Sequence, residues 1–192
     1  MKISNTAAVH ITDYFTETGI IDKANKESYI YCFEYAIDMI LFPLTLIFLG
    51  FIFNKFIPSV IFCAILIPLK MLAGGAHAST RIKCSIISYG ISVVTLLNYN
   101  TLHIFPLTLL IICYILCFGT ITFLAPVDHK NNKFSTETKH KLQKYCFIYL
   151  CMLSIIYILF VYNDLPQYYL MINACTLIVA ANQIIGKFTN YR

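Results

Sequence analysis

Six long apolar runs constrain this chain more than any other feature, because 192 residues cannot shield that many of them from water. They are Ala36–Phe53, Ile57–Leu72, Ser85–Tyr99, Leu102–Leu124, Tyr145–Tyr162 and Tyr168–Ile185. Each is continuous and lacks the in–out alternation of a barrel strand, so sheet is not expected. The expectation is an all-α, polytopic integral membrane protein with about six transmembrane helices. Ser85–Tyr99 is the shortest run and carries serines, which makes it the least typical span. Composition agrees: 59% of residues are hydrophobic and 12% charged, against about 25% charged in ordinary soluble domains.

Residues 1–34 stand apart from the 35–192 membrane domain. They carry five acids and no apolar core of a cleavable signal, so none is expected there. Ile11, Tyr14, Phe15 and Thr18 fall on one helical face, which suits an amphipathic helix at the membrane surface. A soluble, partly ordered tail fits the same residues.

Charge then sets an expected orientation. Place the amino-terminal tail, the 73–84 connection, the 125–144 loop and the carboxyl tail on one side. With Lys70, that side holds 13 of the 14 Lys and Arg; only Lys55 lies opposite. The rule that cytoplasmic loops are rich in Lys and Arg makes this the cytoplasmic side, with both termini. The net charge of +5 is therefore a topology signal, and no nucleic-acid partner is expected. Cytoplasmic thiols stay reduced, and Cys63, Cys113, Cys117, Cys151 and Cys175 fall inside apolar runs, so no structural disulfide is expected.

Between the second and third runs lies Lys70-Met71-Leu72-Ala73-Gly74-Gly75-Ala76-His77-Ala78-Ser79-Thr80-Arg81-Ile82-Lys83-Cys84. It holds a potential base, His77, and a potential nucleophile, Cys84, among glycines and cations. In an unbroken helix residues seven apart stand roughly 10.5 Å apart along the axis, too far for a thiol–imidazole hydrogen bond. Catalysis by this pair needs a bend, which Gly74 and Gly75 permit. Ser79 or Thr80 would cap a new helix with Cys84 near its first turn. There the helix dipole, Arg81 and Lys83 would stabilise a thiolate and lower the thiol pKa. The glycine amides would suit an oxyanion. Spacing alone favours the plainer reading, in which Cys84 is a small residue opening a helix and His77 a boundary histidine.

The same residues, Gly-Gly-x-His-Ala with Cys84 six positions later, resemble the accessory gene regulator protein B (AgrB) family. That family comprises membrane cysteine endopeptidases of bacterial peptide quorum sensing. A second segment, Ala125-Pro126-Val127-Asp128-His129-Lys130-Asn131-Asn132-Lys133, is similar to the family's Ala-Pro loop with its Asn and Lys run. There are two departures: Lys70 stands where arginine is common, and Phe134 where proline is. The resemblance implies that Cys84 is the nucleophile and His77 its general base and later acid, in a homodimer in the bacterial cell membrane. The implied partner is an AgrD-like precursor peptide, whose carboxyl-terminal tail is removed through an acyl-enzyme thioester. Closure to a thiolactone or lactone follows. No cofactor is implied.

Other residues carry weaker signals. Lys130, Lys133, Lys139 and Lys141, with Lys70, Arg81 and Lys83, would bind an acidic precursor tail; attraction to anionic membrane lipid explains the loop lysines as well. His129, His140 and Cys146 match no zinc spacing, so no metal site is assigned. Asp38 and Asp128 are rival candidates to orient His77, and neither is assigned: Asp38 fits equally an acid that snorkels to the interface, and the site need have no third residue. Asn173, Asn182 and Gln183 are polar groups within the last run, expected to face protein or water. Two readings from other classes remain open: a transporter of a small peptide or ion, and a non-catalytic membrane scaffold. A transporter should survive Cys84→Ser.

Overall fold

A computed structural model describes residues 2–76, 81–127 and 135–190. Its helices are α1 (Lys2–Glu17), α2 (Lys26–Ile52), α3 (Phe56–Ala73), α4 (Arg81–Asn98), α5 (Leu107–Leu124), α6 (Thr136–Tyr162) and α7 (Pro166–Asn190). Short 3-10 turns span Lys23–Asn25 and Tyr99–Ile104. No strand occurs among the described residues; one isolated bridge pairs Gly74 with Val127. The chain is all-α, as its apolar runs require.

Local chemistry explains the boundaries that differ from the apolar runs. The fourth run was expected to be helical from Leu102, but α5 begins at Leu107. Proline disfavours helical geometry in the residue before it, and Phe105, preceding Pro106, is extended (ψ 141°). The preceding residues form the 3-10 turn instead. Residues 136–144, expected to lie in a loop, are the polar first turns of α6. Ser135 caps them, its Oγ accepting the Thr138 N–H at 3.2 Å. Asn54 (φ 55°) and Asp164 (φ 51°) take left-handed turns between α2 and α3 and between α6 and α7, a conformation short polar side chains tolerate.

Among the described residues, five segments are long and apolar enough to cross a membrane: Lys23–Ile52, Phe56–Ala73, Leu107–Leu124, Thr136–Tyr162 and Pro166–Thr189. Helix α4 has the length, 18 residues, but Arg81, Lys83, Ser85, Ser88 and Ser92 leave it less apolar. It nevertheless runs between the same two ends as its neighbours. Near its start Lys70 Nζ lies 3.3 Å from Ser88 Oγ. Just past its end, Lys55 Nζ sits 5.0 Å over the Tyr99 ring.

One end of the bundle thus gathers the Lys55 turn, Tyr99 and the start of α7. The other gathers Gly74–Ala76, Ala125–Val127 and the last turns of α7. Helix α7 runs through the middle, with Leu170, Met171, Ile172, Cys175 and Val179 fully enclosed. The outer surface is apolar: Phe48, Phe123 and Ile158 are all more than half exposed, as a multi-pass membrane protein requires. Several interior polar groups pair with one another. Asn173 Nδ2 donates to Tyr157 Oη at 2.9 Å, Tyr114 and Ser154 hydroxyls lie 2.9 Å apart, and the Tyr114 and Tyr157 rings stack at 4.4 Å.

Helix α1 folds back on α2 as a hairpin. Its buried face is small and polar, Ser4, Ala8 and Thr12, while Ile11 and Tyr14 face outward. An Asp13–Lys26 ion pair (2.6 Å) and stacked Phe15 and Phe33 rings (5.9 Å) hold the hairpin. Thr18, expected on the same helical face as Ile11, lies just beyond the helix end. None of the eight cysteines is in a disulfide.

Candidate active site

Helix α3 ends at two glycines because the backbone there enters regions other residues rarely adopt: Gly74 has φ +69° and Gly75 φ +149°. The segment after the helix is then tied down on both sides. The Ala73 carbonyl accepts the Val127 N–H at 3.1 Å and Gln183 Nε2 at 2.9 Å. The Ala76 N–H donates to the Asn182 carbonyl at 3.1 Å. A Cβ on Gly74 would come within 2.7 Å of the Val127 oxygen, and one on Gly75 would overlap the Asn182 side-chain amide. The fit is equally close from the other direction, where a Cβ on Gly186 would lie 2.5 Å from the Ala76 nitrogen.

The two segments singled out in the sequence, Gly74-Gly75 and Ala125-Pro126-Val127, therefore meet. They lie fifty residues apart in the chain and pair backbone to backbone. Helix α7 completes the joint from the far side.

Cys84 is the fourth residue of α4 and is half-buried. The amino-terminal end of α4, where helix dipoles are positive, lies at this same end of the bundle. Ser88 is one turn further along the Cys84 face, so the Lys70 ammonium beside Ser88 Oγ stands about one turn from the thiol. Both features put positive charge at the start of α4, on the side that carries Cys84.

The remaining predicted site residues divide clearly. His77 lies outside the described residues, as do Lys130, Lys133 and Asp128; so does the side chain of Arg81. Lys83 is exposed on the first turn of α4. Lys139 and Lys141 stand on the first turns of α6, with Lys141 ion-paired to Glu137 at 2.6 Å. Asp38 is half-buried on α2, one turn from Phe42, whose ring meets Tyr89 of α4 at 4.9 Å.

Sequence reasoning left Asn182 and Gln183 as unassigned interior polar groups and did not single out Gly186. The signal was present: an Asn-Gln pair followed three positions later by glycine, in an otherwise apolar stretch. An open groove at the opposite end is lined by Ile57, Ile61, Tyr99, Gln167, Tyr168 and Met171, without cysteine, acid or histidine, and an adjoining one takes in His103. Both lie far from Cys84.

Over residues 8–186 the sequence matches the family described as Accessory gene regulator B. The chain belongs to that family. No individual curated protein and no solved structure matches it. AgrB membership places the protein in quorum sensing and in work with an AgrD-like precursor peptide. The matched region runs from α1 through Cys84 and the Ala-Pro segment to Gly186, so it takes in the whole joint around Gly74-Gly75.

Proposed function

We propose that this AgrB protein is a membrane cysteine endopeptidase that removes the carboxyl-terminal tail of its precursor peptide and promotes closure of the remainder into a ring. Cys84 attacks the backbone carbonyl at the cleavage point. His77 takes the thiol proton and returns it to the departing amine. The tail leaves with a new amino terminus, and the upstream part stays on Cys84 as a thioester. An internal cysteine of the precursor then displaces Cys84 and closes a thiolactone; a serine in its place would close a lactone.

A covalent route makes physical sense. Forming a thioester from a free acid and thiol is uphill in water, whereas exchanging one thioester for another is nearly neutral. The cost is therefore met at amide cleavage, and limited water at a membrane edge protects the intermediate from hydrolysis.

One observation carries the proposal: the half-buried Cys84 opens α4 at the end where Gly74-Gly75 and the Ala-Pro segment lock together, with the Lys70 ammonium about a turn away. In the same reading, Gly74 and Gly75 supply the bend and oxyanion donors. Lys70, Arg81, Lys83, Lys130, Lys133, Lys139 and Lys141 attract the acidic tail. The site and both termini face the cytosol, residues 1–34 lie at the lipid interface, 35–192 form the peptidase domain, and two copies associate.

The test is co-expression with the precursor and measurement of the released tail. Cys84→Ala and Cys84→Ser should reduce release to background, and His77→Ala should cost about 10²–10⁴-fold. Normal release from the Cys84→Ala protein would end the proposal. Undiminished activity of Cys84→Ser would favour a transporter.

A further inference from the structure

Residues on α7 hold the bend on which the proposed chemistry depends. Gln183 is fully buried, and its Nε2 donates to the Ala73 carbonyl across 110 positions of sequence. Its Oε1 is also enclosed and has no hydrogen-bond partner among the described residues. Burying an amide with half its capacity unmet is unfavourable, and a methionine or leucine would fill the same space at lower cost. Packing therefore does not account for a glutamine here; the hold on Ala73 does.

Two neighbours act on the same few atoms. The Asn182 carbonyl takes the Ala76 N–H, and the Asn182 side-chain amide lies against the Gly75 α-carbon. Gly186, one turn below Asn182, leaves room for the Gly75 and Ala76 backbone to touch the helix. All three contacts fall within four residues of His77 in the chain.

We infer that Gln183, seated with Gly186 under the Gly74-Gly75 bend, is a positioning residue that sets where the His77-bearing segment leaves α3 relative to Cys84. This rests on the reading of His77 and Cys84 as the reacting pair. It adds that the carboxyl-terminal helix controls their alignment. Gln183 acts through the backbone of Ala73, without contact to substrate.

The experiment uses the full-length protein in membranes with co-expressed precursor. Gln183→Met keeps side-chain volume and removes the donor. Gly186→Ala improves helix propensity while pushing a methyl group into Gly75 and Ala76, so lost activity in a folded protein cannot come from a weakened helix. Each should lower tail release at least tenfold at normal membrane abundance.

A second readout separates alignment from stability: the pH profile of Cys84 alkylation, measured in a protein whose other cysteines are replaced. Where an aligned imidazole lowers the thiol pKa, both variants should move the midpoint up toward the ordinary thiol value of about 8.5. Tyr157→Phe, which loosens α7 elsewhere by removing the Asn173 partner, should leave that midpoint in place. Unchanged cleavage with an unchanged profile in Gln183→Met and Gly186→Ala overturns the inference. So does reduced cleavage that tracks reduced abundance with the profile unmoved. If Gln183→Met does not accumulate, Gly186→Ala decides alone. Active Cys84→Ala, by contrast, would sink the peptidase reading itself, so the two failures are distinguishable.

Discussion

Helices α2 and α7 both have the length to cross a membrane, yet 67% of the spanning window of α7 is buried within the protein and only 11% of that of α2. The buried helix is the less apolar of the two. It carries Asn173, Thr176 and Gln183, all enclosed, while α2 turns Ile40, Leu44, Phe48 and Phe51 outward. Lipid solvates a leucine about as well as a protein interior does, so α2 gains little by being covered. An amide gains a great deal, because only protein offers it a hydrogen bond at that depth. In this chain polarity within an apolar run marks the interior, and the more polar helix is the one that reaches the candidate site.

The contrast can be broken at several points. Gly75→Ala should have the largest effect, since its methyl group meets the Asn182 amide at a φ of +149°. The cost is about 1–3 kcal/mol of backbone strain in addition to the overlap, and tail release should be lost even where protein accumulates. Ile172→Ala on α7 removes a fully buried side chain and should cost at least about 2 kcal/mol. For a chain of this size that corresponds to a fall of very roughly 4–8 °C in thermal midpoint. A thiol-reactive dye can follow it, because Cys146 and Cys175 are buried until the protein opens.

Tyr157→Phe deprives Asn173 Nδ2 of one acceptor but leaves it the Tyr169 carbonyl, so about 1 kcal/mol is expected by the same assay. Phe48→Ala on α2 should change stability by no more than about 0.5 kcal/mol, since that ring faces outward. If Phe48→Ala proved as damaging as Ile172→Ala, the outer face of α2 would be covered by protein. A second copy of the chain would then be its first suspect, to be checked by the oligomeric state of the variant in detergent.

The helical class was legible because hydrophobic runs report on solvent, and solvent decides between helix and sheet before any packing is known. Helix ends were less legible. Pro106 moved the start of α5 five residues inward, and Ser135 began α6 well before its apolar stretch, both through short-range effects that hydropathy does not register. At the candidate site, Gly74-Gly75 announced a bend and Cys84 a nucleophile, because each depends on the residue's own chemistry.

What the sequence determined alone was an all-α membrane chain, the lopsided placement of its cations, and the glycine–histidine–cysteine and Ala-Pro segments that mark its family. What only the tertiary structure decided was which distant residues share one end of the bundle: Val127 beside Gly74, Gln183 on the Ala73 carbonyl, and Gly186 beneath Gly75. The reason is physical. Hydropathy, turn chemistry and side-chain reactivity belong to a residue and its near neighbours. The pairing of Gln183 with Ala73, across 110 positions, exists only once the helices have packed.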